Sequence, residues 1–168
     1  MARLRREWGG ESFYVRRIDR QARDATQSLY RVACAYLASP PDRDDAVQEA
    51  LLRAWEKRRT LREEQYFKTW LTRILIRVCV DMQRRKKRVI VSDNLPEQIA
   101  PEPPDPLLRE AIEQLEPTLR AAVVLYYLEG YDIRETASLL RVPQGTVKSR
   151  LSRARRQLQS FLKEDTAL

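Results

Sequence analysis

The chain has 168 residues, of which 43% are hydrophobic, enough for one modest domain or for two small ones with separate cores. It carries 32 Lys and Arg residues against 24 Asp and Glu, and the resulting net charge of +8 favours a polyanionic partner. Histidine is absent, which excludes Ser-His and Cys-His catalysis and nearly every zinc or iron site. We therefore predict no catalytic residue, no metal site and no cofactor.

Cysteine usage and hydropathy bear on where the protein resides. Cys34 and Cys79 fall in apolar helical patterns, where a free cysteine usually packs as a small hydrophobic residue. No apolar run approaches the ~20 residues of a membrane span. The start, MARLRREWGGESF, lacks the apolar core of a signal peptide. We expect a protein of the reducing cytoplasm that is not embedded in a membrane.

The distribution of glycine and proline predicts the domain organisation. Glycine is scarce and strand-like alternation is nowhere sustained, so we expect an all-α protein. Five of the nine prolines lie in VIVSDNLPEQIAPEPPDP, which indicates an extended, flexible connector. The predicted organisation is an N-terminal extension (1–24), a helical domain (25–88), a Pro-rich linker (89–106) and a second small helical domain (107–168).

Three helices are predicted in the first unit. One ends where Pro40 and Pro41 stop the pattern, a second lies in DRDDAVQEALLRAWEKRR, and the longest runs from about Phe67 to Arg88. The second begins with carboxylates and ends with cations, as the helix dipole favours. The predicted buried positions are Leu29, Val32, Ala33, Tyr36 and Leu37; Val47, Ala50, Leu51, Ala54 and Trp55; and Phe67, Trp70, Leu71, Ile74, Leu75, Val78 and Met82.

The longest helix has a second distinctive side. At 100° per residue, Ile76 and Val80 point away from the core face and lie beside Arg73, Arg77 and Arg84. A side that is both apolar and basic suggests a contact surface, although scattered surface aliphatics are also normal on monomers. The run RRKKR at the end of this helix is either a solvated terminus that suits the dipole or a phosphate-facing patch.

The second unit carries clear helix boundaries. Pro117 suits the first turn of PTLRAAVVLYYLEG, and Gly130 suits its left-handed stop. Asp132 and Glu135 have the spacing of a capping box, which predicts a short helix from about Ile133 to Leu140. A turn at Arg141 and Val142 follows, and Pro143 opens the next helix.

The last helix, in LRVPQGTVKSRLSRARRQL, is apolar on one side and basic on the other. Its packing stripe consists of Val147, Leu151, Ala154 and Leu158. The opposite side presents Gly145, Lys148, Ser149, Ser152, Arg153 and Arg156. A short capped helix, a tight turn and such a helix predict a helix-turn-helix that enters the DNA major groove. The alternative is a bundle helix with a solvated basic face.

Two long segments resemble a known family. DRDDAVQEALLRAWEKRRTLREEQYFKTWLTRILIRVCVDMQRRKKR and LEPTLRAAVVLYYLEGYDIRETASLLRVPQGTVKSRLSRARRQL are similar to regions 2 and 4 of bacterial extracytoplasmic-function (ECF) sigma factors. The likeness covers about residues 25–162. It implies a factor that binds core RNA polymerase and directs it to promoters in response to envelope or other external stress.

The resemblance also implies partners and site residues. It implies that the second unit binds promoter DNA at the −35 element. It also implies that the protein docks on the clamp helices of the polymerase's largest subunit and on the flap of its second-largest subunit. The core polymerase docking candidates are Asp45, Gln48, Glu49, Leu52, Arg53 and Trp55. The −10 candidates are Arg62, Gln65, Tyr66, Arg73, Arg77 and Arg84. The −35 candidates are Gln144, Gly145, Thr146, Lys148, Ser149, Ser152, Arg153 and Arg156.

Two features refine what the resemblance implies. Arg77 stands where relatives often have Asn, so the −10 preference is left open. The 18 residues of the linker reach ~60 Å when extended, comparable to the distance between two promoter elements about 17 base pairs apart. The resemblance further implies an anti-sigma factor, expected at the membrane, that covers exposed faces such as the one at Ile76 and Val80.

Three alternative functions would each require further features. An ordinary helix-turn-helix regulator would need a dimer to read paired half-sites and a ligand or phosphoacceptor site in its first half. A serine recombinase would need a nucleophile on an α/β domain, for which no strand pattern exists. A scaffolding bundle would show no salt-dependent DNA binding.

Overall fold

The computed structural model describes residues 25–88 and 106–165, and all regular structure in these two ranges is helical. The all-α prediction is confirmed for this part of the chain. The predicted N-terminal extension and residues 89–105 of the predicted linker lie outside the described residues, so the domain boundaries stay predictions.

Seven helices form the described part. In the first unit they are α1 (Thr26–Tyr36), α2 (Pro40–Glu56) and α3 (Phe67–Arg88), with short 3-10 turns at Arg58–Thr60 and Glu64–Tyr66 between α2 and α3. In the second unit they are α4 (Pro106–Glu113), α5 (Pro117–Val123), α6 (Ile133–Leu140) and α7 (Gln144–Asp165), and a π-helical turn (Val124–Leu128) extends α5.

The start of α2 differs slightly from the prediction. Pro40 is the first residue of the helix, with Ser39 in extended conformation before it. Proline is tolerated there because the first backbone N–H groups of a helix have no intrahelical partner. The helix ends at Glu56, so the predicted terminal cations follow it rather than belong to it.

The predicted core of the first unit is largely confirmed, with one clear correction. Val47, Ala50 and Ala54 of α2 are buried, but Trp55 is 43% exposed. The helix turns its three small and branched residues inward, and the next position along the chain points about 100° away. Trp55 therefore lies on the outer surface of α2.

The two cysteines pack among apolar side chains. Cys79 is fully buried, and burial raises the pKa of its thiol to about 12. Cys34 is partly exposed, and burial also raises its pKa. Because the thiolate is the reactive form, a raised thiol pKa disfavours reaction at both cysteines.

The local geometry of the second unit confirms the predicted helix boundaries, except that α7 begins at Gln144, one residue after the predicted Pro143. Pro117 lies in the first turn of α5, and Gly130 has φ +73°, the left-handed conformation that glycine adopts without strain. The capping box is complete: the Glu135 N–H donates to Asp132 Oδ1 at 2.7 Å, and the Asp132 N–H donates to Glu135 Oε2 at 3.0 Å. The turn before α7 contains Arg141, with φ 56°.

The two units pack against each other. Helix α1 contacts α5 and the π-helical turn, and α3 contacts α6, so that one continuous apolar cluster includes residues of both units. Ile76 is 8% exposed and Val80 is half-buried. The expectation that these two side chains form an open contact surface is therefore wrong for this arrangement, because the second unit covers them.

Candidate nucleic-acid interface

Helix α7 separates its two faces as predicted. Val147, Leu151 and Ala154 are buried, and Leu158 packs partly against the same cluster. The predicted opposite face is turned outward: Gln144, Gly145, Lys148, Ser149, Arg153 and Arg156 are exposed, and Thr146 and Ser152 are half-buried. One continuous surface of small polar and basic side chains results.

The first turn of α7 is open to a ligand. A side-chain carbon at Gly145 would meet no atom within 4 Å, so packing inside the protein does not require glycine at this position. Ser149 Oγ donates to the Thr146 carbonyl at 2.9 Å, which leaves its lone pairs accessible. A phosphate could approach the backbone closely here.

A hollow lies beside this turn and was not predicted. It has a volume of about 660 Å³ and is lined by Tyr126, Tyr127, Gly130, Tyr131, Asp132, Ile133, Arg134 and Gln144. The rings of Tyr126 and Tyr127 meet edge to face, with centroids 4.9 Å apart. The YY pair in the sequence is the only local signal for these two adjacent rings.

A basic groove of about 570 Å³ runs between the two units. The predicted −10 residues Arg73, Arg77 and Arg84 line it from α3. Arg141 and Arg150 line it from the other unit and were not predicted, because only the packing of the units brings them there. Ile76 and Val80 of α3 and Leu139, Leu140 and Ala121 of the second unit also line it.

The other three predicted −10 residues lie in the segment between α2 and α3. Arg62, Gln65 and Tyr66 are exposed there, with Tyr66 at 56%. Gln65 Nε2 donates to Glu63 Oε2 at 2.6 Å. The −10 candidates thus fall into two sets, an exposed loop and the lining of the groove.

The predicted polymerase-docking residues share the outer surface of α2. Leu52 is 63% exposed, and the Arg58 guanidinium stacks over the Trp55 ring, 4.8 Å from its centroid. Arg53 Nε pairs with Glu49 Oε1 at 2.7 Å, within the helix. Asp45 and Gln48 are exposed along the same surface. The arrangement is an apolar pair with polar neighbours.

Glu129 is the main residue that sequence reasoning missed. Its side chain is 1% exposed and accepts a hydrogen bond from Arg31 Nε at 2.7 Å and another from the Ser28 hydroxyl. Lys68 Nζ lies 3.7 Å from its carboxylate and donates to its backbone carbonyl at 2.6 Å. The sequence offered only a glutamate before the left-handed Gly130, which normally indicates a solvated helix end.

Two more polar contacts accompany Glu129 at the unit boundary. The hydroxyls of Thr72 and Tyr131 are 2.9 Å apart, and burial raises the pKa of Tyr131 to about 12. Arg73 Nη2 donates to Ser138 Oγ at 3.1 Å. A candidate −10 residue thus contacts the first helix of the helix-turn-helix directly.

Residues 25–88 and 106–165 contain no cluster of acidic and cysteine side chains that could hold a metal ion. Among the helices of the described ranges, none is long and apolar enough to cross a membrane.

Both units match families of known proteins. The family model for sigma-70 region 2 matches residues 22–89, and that for sigma-70 region 4 matches residues 106–158. The ECF RNA polymerase sigma factor SigM of Mycobacterium tuberculosis is 35% identical over 141 residues, covering 81% of this chain and 72% of SigM. RNA polymerase sigma factor SigV of Bacillus subtilis is 30% identical over 148 residues, covering 84% and 89%.

A solved structure shows the same helical architecture. It contains the sigma factor RpoE of Bartonella quintana in complex with the anti-sigma factor NepR, and its match has a TM-score of 0.72 at 25% identity. The match covers 86% of this chain and 96% of the other. With its capped helix-turn-helix and a three-helix unit in the order of regions 2 and 4, this chain belongs to the ECF sigma factors, a family of transcription initiation factors.

Proposed function

We propose that the protein binds core RNA polymerase through α2, reads the −35 element through α7 and engages the −10 element through the loop before α3 and the arginines of the groove. The polymerase performs the chemistry, so the protein itself is not an enzyme. The observation that carries this proposal is the exposed face of α7, which is basic and small-polar and belongs to a capped helix-turn-helix.

The −35 role follows from the chemistry of that face. Lys and Arg neutralise phosphates or bind guanine edges, and Ser and Thr contact backbone or base edges. Arg153 is exposed two residues beyond the buried Leu151, so the apolar stripe fixes the direction of its side chain. The helix can enter the major groove without repacking its own core.

The −10 role draws on two surfaces. Tyr66 offers an exposed ring on which an unpaired base can stack, and Arg62 and Gln65 offer donors for its edges. The groove arginines supply charge for the phosphates of a separated strand. Arg77 and Arg84 are already exposed at the groove, and Arg73, which is half-buried and bonded to Ser138, is released when the second unit moves away from α3.

The polymerase-docking role relies on Leu52 and Trp55. Exposed large apolar side chains close together on one helix are typical of the centre of a protein interface. The surrounding polar residues, including the Glu49–Arg53 pair, form the rim. The flap of the second-largest polymerase subunit contacts the second unit in this proposal.

The protein acts in the cytoplasm without a cofactor and is controlled by an anti-sigma factor at the membrane. The relative RpoE of Bartonella quintana, solved with the anti-sigma factor NepR, supports the anti-sigma partner.

Transcription from randomised promoter templates tests the proposed function. Purified bacterial core polymerase is used with and without the protein, and the transcripts that start are sequenced. Specific starts that share two upstream elements and require the protein are expected. Their absence, together with salt-dependent duplex binding by the protein alone, would favour an ordinary DNA-binding regulator.

Replacing Arg153 by Ala tests direct reading of the −35 element. If Arg153 contacts a base edge, the change costs ~1–3 kcal/mol of binding and relaxes selectivity at one −35 position. The selection experiment repeated with the variant measures both effects. Uniform weakening across all selected sequences, with an altered salt slope, would show instead that Arg153 contacts phosphate.

A further inference from the structure

The contact between the units centres on a group that we name the Glu129 cluster, formed by Glu129, Ser28, Arg31 and Lys68. Three of these residues belong to the first unit, and the carboxylate belongs to the second. A buried carboxylate is costly unless cations and hydrogen-bond donors surround it. The close packing of the units around Glu129 therefore depends on this cluster.

Nearby contacts show that the cluster belongs to an extended interface. Lys68 Nζ also lies 4.8 Å from the centroid of the Tyr131 ring, and Tyr131 meets Thr72. Arg73 reaches Ser138 on α6. When such contacts separate, water hydrates the charged and polar groups and offsets the loss of the contacts. This suits an interface that opens.

The closed arrangement cannot serve two promoter elements at once. Arg73 Nη2 is 3.1 Å from Ser138 Oγ, and six residues of chain from Ser138 to Gln144 span at most about 22 Å. Promoter elements about 17 base pairs apart are separated by ~58 Å. The −10 surface of α3 and the start of α7 are therefore much too close together.

We propose that the Glu129 cluster is an intramolecular lock, which holds the free protein closed and covers the Ile76–Val80 side of α3 with the second unit. The inference rests on the proposed function, since it takes promoter reading as the active state. The second unit thus occupies a face that the resemblance assigned to an outside partner. Promoter-competent protein forms when the cluster separates and Glu129 becomes hydrated.

Small-angle X-ray scattering of the free, full-length protein tests the lock. A compact chain of this length has a radius of gyration of about 15 Å, and two separated units exceed about 20 Å. Glu129→Gln keeps the side-chain shape and removes the charge, so we expect its radius to exceed that of the wild type at least about 1.3-fold. Lys68→Ala, which acts from the other unit, should have the same effect.

Glu110→Gln is the matched control, because it removes one carboxylate charge from the exposed surface of α4. Its scattering should superimpose on that of the wild type. Circular dichroism should show equal helix content in all variants. Superimposable curves for Glu129→Gln, Lys68→Ala and the wild type would overturn the lock, as would a wild-type protein that is already extended.

Transcription separates this inference from the proposed function. If the lock is correct, Glu129→Gln still initiates at the promoters selected with the wild type. Loss of initiation by an extended, folded Glu129→Gln variant would show that the contact belongs to the active form, and would overturn the lock. If the wild type initiates nowhere, the proposed function fails, while the scattering comparison still decides whether the cluster holds the units together.

Discussion

Replacing Trp55 by Ala is expected to weaken binding of the protein to core RNA polymerase by about 30- to 1000-fold, or ~2–4 kcal/mol. Trp55 is 43% exposed and lies on the outer surface of α2 near Leu52, which is 63% exposed. A tryptophan that becomes fully buried in a partner pocket is among the largest single contributors to binding. Titration of labelled protein with core polymerase measures the change.

The stability of the variant separates binding from folding. Since Trp55 lies outside the core, with the Arg58 guanidinium over its ring, the free energy of unfolding should fall by less than ~1 kcal/mol when it is truncated. Leu108→Ala shortens an exposed apolar side chain on a different helix, α4. It should leave polymerase affinity within about threefold of the wild-type value. Equal polymerase affinity for the Trp55→Ala variant and the wild type would remove α2 from the proposed docking surface.

The sequence predicted local structure well because local signals control it. The capping box at Asp132 and Glu135, the left-handed Gly130 and the start of α5 at Pro117 are each set by residues a few positions apart. The outward face of α7 follows from 3.6-residue periodicity alone. These features could be read without knowing what surrounds them.

The predictions that failed are those that depend on how whole helices face each other. Periodicity placed Trp55 in the core and Ile76 outside it, and the structure reverses both. The side of α3 that bears Ile76 is covered by a unit that follows residues 89–105, and no local pattern predicts that contact. The burial of Glu129 has the same origin, because its partners Arg31 and Lys68 lie 98 and 61 residues away in the chain.

Replacing Leu151 by Ala is expected to lower the free energy of unfolding by ~2–5 kcal/mol. Leu151 is 4% exposed and lies in the stripe with Val147 and Ala154 that packs α7 against the other helices of the second unit. The change removes buried apolar surface and leaves a cavity that the neighbours fill only partly. Urea unfolding followed by circular dichroism measures the loss.

Arg153→Ala is the matched control, two residues further along the same helix but exposed. Its free energy of unfolding should stay within ~0.5 kcal/mol of the wild type, while its promoter selectivity changes. Leu151→Ala should show the converse: near-normal selectivity at low temperature, where the second unit remains folded, and loss of DNA binding on warming. Equal stability of the two variants would mean that the buried and DNA-facing sides of α7 are assigned incorrectly, and the −35 proposal would fall with that assignment.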